Sequence, residues 1–388
     1  MWRHITSNFL TLLVVVIFLL GGAVLWGQSQ YTTAGPLQEP MCLQVPGGST
    51  MRRISSELEQ EGAVTSGAIL RMGADYADKT RQLKAGSWLI PEGASMAEIT
   101  DLITRGGAST CGTQVIYRIG VNSAEVEVRE LDPVTLDFVE RAEFDPFDED
   151  PTPEAYTEVR ARTDTRYNVV LAEGVTSWQV VNVLNKIDAL DGEVAAIPDE
   201  GSLAPDSYEF SAGDGRDDIL SRMQTAQAAL LAAAWAARDP DIPIASPEEA
   251  LILASIIEKE TGLASERPQV ASVFTNRLER GMRLQTDPTV IYGITRGQGV
   301  LGRGLRQSEL RRATPYNTYV IDGLPPTPIA NPGEDSLLAA VQPPESEMIY
   351  FVAKTLDPRD GHNFAETLDE HNRNVAAYRA LERAAGNQ

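Results

Sequence analysis

Residues 247–262, PEEALILASIIEKETG, combine a helical apolar pattern with glutamates near its end. Pro247 suits the first turn of a helix, and Gly262 suits the position that follows the last turn. Spacing by three and four residues places four side chains on one face: Leu253, Ile256, Ile257 and Glu260. A carboxyl group that extends an apolar stripe loses water, which raises its pKa and favours a general acid. A salt-bridged glutamate at the helix end fits the same spacing.

Other titratable residues give weaker signals of chemistry. Glu258 lies two positions earlier, roughly 200° around the helix axis from Glu260. The three histidines, His4, His362 and His371, are not accompanied by a nucleophile-elbow sequence, so we interpret His362 and His371 as structural. No cysteine or histidine cluster has metal-ligand spacing. We therefore expect neither a metal site nor a cofactor.

Composition indicates a folded protein of two or three domains. The chain has 388 residues, of which 43% are apolar and 23% charged, so it can bury a sizeable core. Its formal net charge of -22 opposes binding to phosphate backbones. The composition therefore argues against a nucleic acid as partner.

An apolar segment near the N-terminus predicts a membrane anchor. Residues 9–26 carry no charge, and their helix would be roughly 27 Å long, which is close to the thickness of a hydrocarbon core. Trp2 and Trp26 bracket the segment, and Arg3 favours a cytoplasmic N-terminus of residues 1–8. Everything after the span would then be periplasmic. A cleaved signal peptide is the alternative interpretation.

The two cysteines, Cys42 and Cys111, follow the apolar segment. If the chain crosses the membrane, they lie in an oxidising compartment, where a disulfide can persist. A disulfide between them and two unpaired thiols are both open interpretations.

Turn-forming residues and hydrophobic periodicity divide the remaining chain into blocks of an α+β protein. Gly, Pro, Gln and Thr dominate residues 27–47, which we interpret as a linker. Residues 48–108 alternate helical and strand signals. Residues 109–166 contain the acidic segment EFDPFDEDPTPE, for which we expect a solvated loop, flanked by VIYRIGV and AEVEVREL as possible paired strands. Folded periodicity resumes over 167–246, and the block with the chemistry is 247–388.

Five motifs in the last block carry a family resemblance. They are ASIIEKETG, ERPQVASVFTNRLERGMRLQTDPTVIYG, TPYNTYVIDGLPPTPIANPG, YFVAK and GHNFAETLDEHN. In order and spacing they resemble the MltG (YceG-like) family of endolytic murein transglycosylases. Upstream, LKAGSWLIPEGAS resembles the family's LysM-like module, and Glu200–Tyr208 is similar to its EG-x-L-x-PDTY segment. The resemblance lapses around 113–165, which looks like an insertion of this lineage.

The resemblance implies a single N-terminal transmembrane helix, a LysM-like α+β module and a mixed α+β catalytic domain. It assigns the catalytic carboxyl to Glu260. The enzyme would cut nascent peptidoglycan, form a 1,6-anhydro product and so end the elongation of the strand. It further implies a set of residues that shape the sugar cleft: Thr261, Gln285, Thr286, Asp287, Tyr292, Tyr316, Asn317 and Thr318. A structural role explains Tyr316 and Tyr319 equally well: both could be core aromatics whose hydroxyl groups are hydrogen-bonded within the protein.

Expected partners are peptidoglycan strands, the inner membrane and penicillin-binding synthases. Two other functions compete with the transglycosylase. One is a muramidase that uses water, for which Asp287 is the nearby acid that could act as the second carboxylate. The other is a noncatalytic scaffold that holds the wall through its LysM-like part.

Overall fold

The computed structural model describes residues 2–106, 110–148, 152–162 and 165–386. The protein is a mixture of helices and strands, as the sequence predicts. Its residues form two compact units. Unit 1 consists of Met1–Val115, Glu127–Glu143 and Pro151–Arg166, and unit 2 consists of Ile116–Val126, Phe144–Asp150 and Tyr167–Gln388.

Helix α1 spans Trp2–Thr32 and contains the apolar segment. Within Leu12–Thr32, a stretch of 18 residues has a mean hydropathy of 2.1 and is not buried, so by length and composition this helix can cross a membrane. It extends six residues beyond the predicted span because no proline precedes Pro36, and Tyr31 near its end packs on the core of unit 1. The last turns of α1 thus occupy part of the segment for which we expected a linker.

The core of unit 1 is built from two strands and three helices. They are β1 (Met41–Val45), α2 (Met51–Gln60), α3 (Gly67–Tyr76), β2 (Gly86–Ile90) and α4 (Met96–Arg105). Strands β1 and β2 are antiparallel, with Met41 opposite Ile90. The largest fully buried side chain is Trp88 on β2. Cys42 on β1 is disulfide-bonded to Cys111, which decides between the two interpretations of the cysteines.

A five-stranded sheet has the order β5-β4-β3-β6-β7. Its strands are β3 (Thr113–Ile119), β4 (Ala124–Leu131), β5 (Phe138–Phe144), β6 (Arg166–Leu171) and β7 (Ser207–Phe210), and helix α5 (Glu154–Arg160) lies between β5 and β6 in sequence. The segments VIYRIGV and AEVEVREL form the neighbouring strands β3 and β4, as expected. Residues 149–151 of the acidic segment lie outside the described part of the chain.

Helices are the main regular secondary structure of unit 2. Its helices are α6 (Ser177–Leu184), α7 (Arg216–Ala236), α8 (Pro247–Glu260), α9 (Arg267–Glu279), α10 (Asp287–Thr295), α11 (Gln307–Leu310), α12 (Glu334–Val341) and α13 (Leu368–Gly386). Strands β8 (Tyr350–Ala353) and β9 (His362–Ala365) form an antiparallel pair, and short 3-10 helices span Ala264–Glu266 and Pro358–Asp360. Helix α8 contributes to the main apolar core of this unit, together with residues of α7, α9 and α12.

Candidate functional site

Helix α8 ends at Glu260. Ser246 caps its start by accepting a hydrogen bond from the Glu249 amide at 3.3 Å, and Pro247 occupies the first turn. Thr261 is extended and ends the helix. The three apolar side chains of the predicted stripe, Leu253, Ile256 and Ile257, are fully buried, whereas Glu260 is half-buried.

Three threonines that are hydrogen-bonded to one another support the Glu260 carboxyl. The Thr286 hydroxyl donates to Oε1 of Glu260. The Thr286 amide donates to the hydroxyl of Thr318 at 3.0 Å, and this hydroxyl lies 2.9 Å from that of Thr289. All three threonines are buried, so the position of the donor to Glu260 is fixed by packing. Of the predicted cleft residues, Thr286 therefore contacts the carboxyl, and Thr318 supports Thr286.

The surroundings of Glu260 favour its protonated form. Burial raises the pKa of Glu260, and the negative charge of Asp287 raises it further. The hydrogen bond from Thr286 and the nearby His362 and Arg277 lower this pKa, but burial is the largest effect and the net direction is upward. A carboxyl group of this kind can hold a proton and then release it to a bound substrate.

Asp287 is the second carboxyl group of the site. It is exposed, and its Oδ1 accepts a hydrogen bond from the Tyr319 hydroxyl at 2.7 Å. Burial raises the pKa of Tyr319, and the bond to Asp287 raises it further, so the phenol remains a donor. Tyr319 is thus a half-buried aromatic whose hydroxyl orients Asp287.

Glu258 lies in a different environment from Glu260. Its Oε1 accepts a hydrogen bond from Arg267 at 3.0 Å, and its Oε2 accepts the amide of Gly333 at 3.0 Å. Arg267 also contacts Glu173 at 2.5 Å and Asp335 at 3.2 Å. Glu258 is therefore part of a buried ion-pair network that stabilises the fold.

Comparison with known proteins identifies the family. The profile of the YceG-like family matches residues 139–377, more than half of the chain. This protein belongs to the YceG-like family. The match begins at residue 139, within the block 109–166.

Relatives of this YceG-like chain have names that state an activity. Proteins from two Streptococcus pneumoniae strains, D39 and R6, named endolytic murein transglycosylase, are 25% identical to it over 385 residues. The alignment covers 97% of the chain but 66% of the pneumococcal proteins, so the chain spans just under two thirds of their length. A Bacillus subtilis protein of the same name is 26% identical over 369 residues, covering 93% of the chain and 91% of the relative.

A solved structure from the same family is also similar. A yceG-like protein from Listeria monocytogenes is 24% identical and superposes with a TM-score of 0.43, covering 87% of this chain and 99% of that one.

Several predicted cleft residues of the YceG-like chain support loops by contacts within the protein. The side-chain amide of Asn317 donates to the backbone carbonyls of Glu309, Leu310 and Arg312. Tyr316 is buried, and its hydroxyl lies 2.8 Å from that of Thr327. The Thr261 hydroxyl accepts the amide of Leu263 at 3.1 Å. Contact with a sugar remains a prediction for these three residues.

The remaining two predicted residues lie on either side of Asp287 in sequence. Gln285 is exposed in a left-handed conformation, with φ of +50°, and its amide donates to the Thr318 carbonyl at 3.1 Å. Tyr292 is half-buried on α10, and its hydroxyl donates to Oε2 of Glu200 at 3.0 Å. Its ring lies 5.1 Å from that of Tyr316.

Sequence reasoning missed Arg277 and interpreted His362 only as structural, although both lie near Glu260. Arg277 is buried, and its guanidinium donates to the carbonyls of Ile349 and Leu284. His362 is held by Glu266, with 2.8 Å between Nδ1 and Oε2. Both residues lie within the family motifs, which was the available signal, but their proximity to Glu260 depends on folding.

The described residues offer no site for a metal. Within these residues, no three His, Cys, Asp or Glu side chains are grouped so that they could hold an ion. The groups that the structure places near Glu260 are the Thr286 hydroxyl, the Asp287 carboxyl, the His362 imidazole and the Arg277 guanidinium.

Proposed function

We propose that this protein is a peptidoglycan lytic transglycosylase in which Glu260 acts first as acid and then as base. The observation that carries the proposal is the half-buried Glu260 carboxyl, whose pKa is raised by burial and whose Oε1 accepts the Thr286 hydroxyl. Since Thr286 occupies Oε1, Oε2 is the oxygen that can carry the proton. The family and the names of the relatives support murein as the substrate.

The proposed reaction needs one carboxyl group and no water. Glu260 gives its proton to the oxygen that leaves the anomeric carbon of N-acetylmuramic acid, and the bond between carbon and oxygen breaks. The C6 hydroxyl of the same sugar then attacks that carbon and returns its proton to Glu260. The product carries a 1,6-anhydro end, and Glu260 is ready for another cycle.

Hydrolysis is the second candidate, and Asp287 favours it. Glycosidases that use water or a covalent intermediate need a second carboxylate beside the acid. Asp287 is exposed, is oriented by Tyr319 and is close enough to affect the pKa of Glu260. In that reaction Asp287 would activate the water, and the new end would be a reducing sugar.

Mass spectrometry of products distinguishes the two candidates. The full-length chain in detergent, incubated with purified glycan strands, should release fragments with anhydro ends, which are lighter than hydrated ends by one water. Glu260→Gln should release none. Glu279→Gln is the matched control, because Glu279 also ends a helix but is exposed. Exclusively hydrated ends would establish hydrolysis, and release that persists in Glu260→Gln would refute the catalytic assignment.

We further propose that α1 anchors the protein in the bacterial inner membrane with its N-terminus in the cytoplasm and its catalytic domain, residues 247–388, in the periplasm. Work beside penicillin-binding synthases would let it end the growth of new strands. Gln285, Asp287 and Tyr292, at or just before α10, are the proposed sugar-contacting residues, and the buried Thr286 would support the Glu260 carboxyl.

The LysM-like assignment is part of the same proposal. The order β1-α2-α3-β2, with the strands paired antiparallel, supports it. In this proposal the module would begin with β1, within residues 27–47, which we interpreted as a linker. A groove of about 580 Å³ in unit 1 is lined by residues of two loops, α2 and α3, among them Ser49, Arg52, Arg71 and Arg81. Such a groove would hold a glycan strand near the membrane.

A further inference from the structure

We infer that Glu200 is a positioning residue for the Glu260 carboxyl, which it aligns through Tyr292 and helix α10. The inference rests on the proposed function, because it assigns a role to Glu200 in the same reaction. Glu200 lies in the segment Glu200–Tyr208, which the sequence singles out and to which the mechanism above gives no role.

Glu200 joins two helices through its two carboxyl oxygens. Oε1 accepts the amide of Ser177, the first residue of α6, at 2.8 Å. Oε2 accepts the hydroxyl of Tyr292 on α10 at 3.0 Å. A carboxylate at the start of a helix is stabilised by the helix dipole and by the free amides there. The position of α10 is therefore tied to α6 through one side chain.

Helix α10 carries the hydrogen-bond donor to Glu260. Thr286 is the N-cap residue of α10, a position at which a threonine hydroxyl usually accepts an amide of the helix. Here the hydroxyl makes no capping hydrogen bond and instead donates to Glu260. Any shift of α10 moves this donor, because Tyr292 and Thr286 belong to the same short helix of nine residues plus its cap.

Glu200 also acts electrostatically on Lys259, the residue that precedes the acceptor Glu260. Lys259 immediately precedes Glu260, and its ammonium donates to the Gly174 carbonyl at 3.1 Å. Burial lowers the pKa of Lys259, and the negative charges of Glu258 and Glu200 oppose that effect. Glu200 thus influences the residue next to Glu260 as well as the helix that carries its donor.

Dense packing around the Glu200–Tyr292 pair leaves little room for rearrangement. Gly297 follows α10 with φ of +74°, and a Cβ there would lie 3.2 Å from Glu200 Oε2 and 3.2 Å from Tyr292 Cε2. The Gly297 carbonyl accepts the hydroxyl of Thr176, the N-cap of α6, at 2.6 Å. The ends of α6 and α10 are therefore held together at Glu200.

The test compares Glu200→Gln, Glu200→Ala and Tyr292→Phe in the detergent-solubilised full chain with glycan strands as substrate. Glu193→Gln is the matched control, since Glu193 is an exposed carboxylate in the same region. We expect kcat to fall between about tenfold and 100-fold in Glu200→Ala, with KM changed less than about twofold, because misplacement affects the reacting geometry. Glu200→Gln, which keeps the shape, should recover part of the rate.

Two further readouts separate positioning from a general loss of fold. Weakening the Thr286 hydrogen bond removes an effect that lowers the pKa of Glu260, so the alkaline limb of the kcat profile should move to higher pH in Glu200→Ala and Tyr292→Phe. The double variant Glu200→Ala with Tyr292→Phe should lose less than the product of the single losses, because both substitutions break one contact.

The inference is overturned if kcat and its pH profile stay unchanged in folded Glu200 variants, if KM alone rises, or if the two losses multiply. Failure of the proposed function looks different: the wild-type chain then releases no glycan, or Glu260→Gln releases as much as the wild type.

Discussion

Glu258 and Glu260, two residues apart at the end of α8, have opposite surroundings. Glu258 accepts hydrogen bonds from Arg267 and from the Gly333 amide, each at 3.0 Å. Glu260 accepts a neutral hydroxyl, that of Thr286, and burial raises its pKa. One carboxylate thus stabilises the fold as an anion, while the other is kept ready to carry a proton. The predictions below depend on this division.

Replacing Glu260 with Gln should abolish activity and stabilise the protein at neutral pH. General acid–base groups contribute on the order of 10²- to 10⁴-fold to rate, so glycan release should fall by at least that range. Because the folded-state pKa of Glu260 is raised, its contribution to stability is present below the ordinary value of 4.5 and is lost as pH rises through the folded value. The variant should therefore have the higher Tm at pH 7, with the difference vanishing at acid pH. Equal Tm values at pH 7 would contradict a raised pKa.

Asp287→Asn and Thr286→Val should shift the activity profile in opposite directions. Loss of the Asp287 charge removes an effect that raises the pKa of Glu260, so the alkaline limb of kcat should move to lower pH. Loss of the Thr286 donor removes an effect that lowers it, so the limb should move to higher pH. Profiles of kcat against pH measure both. Shifts in the same direction would show that another group controls the limb.

Replacing Glu258 with Ala should destabilise the protein. The Arg267 side chain is 7% exposed and that of Glu258 4%, so the substitution leaves a buried guanidinium short of one carboxylate. Breaking a buried pair costs about 3 to 5 kcal/mol, and the lower end applies since Glu173 and Asp335 still contact Arg267. Denaturant unfolding measures the change, with Glu279→Gln as an exposed control. A free energy of unfolding equal to that of the control would mean that the network does not stabilise the fold.

Removing the Cys42–Cys111 disulfide should destabilise unit 1. The bond joins residues 69 positions apart, and closing a loop of that length restricts the unfolded chain by about 4 kcal/mol. Cys42→Ser with Cys111→Ser should therefore unfold at lower denaturant concentration than the oxidised wild type. The double variant should not respond to a reductant, whereas the wild type should lose the same stability when reduced.

Much of the region around Glu260 follows from the sequence because local spacing determines which face of a helix is apolar. The three-and-four pattern places Leu253, Ile256 and Ile257 inside and Glu260 at the end of their stripe, and the structure confirms the helix Pro247–Glu260. The uncharged segment after residue 8 also forms a helix as predicted, because a long uninterrupted apolar run is a local property of the sequence. The motifs around Glu260 also suffice for the family, since their order and spacing are linear properties.

Only the tertiary structure decides which distant groups meet. Glu258 and Glu260 look alike in sequence, but packing brings Arg267, Glu173 and Asp335 to the first and Thr286 to the second. The same holds for Cys42 and Cys111, and for β1, which exists because β2, far along the chain, pairs with it. A hydrogen bond or ion pair between remote residues depends on the positions of whole helices and strands, and no local sequence pattern determines the distance between the two residues.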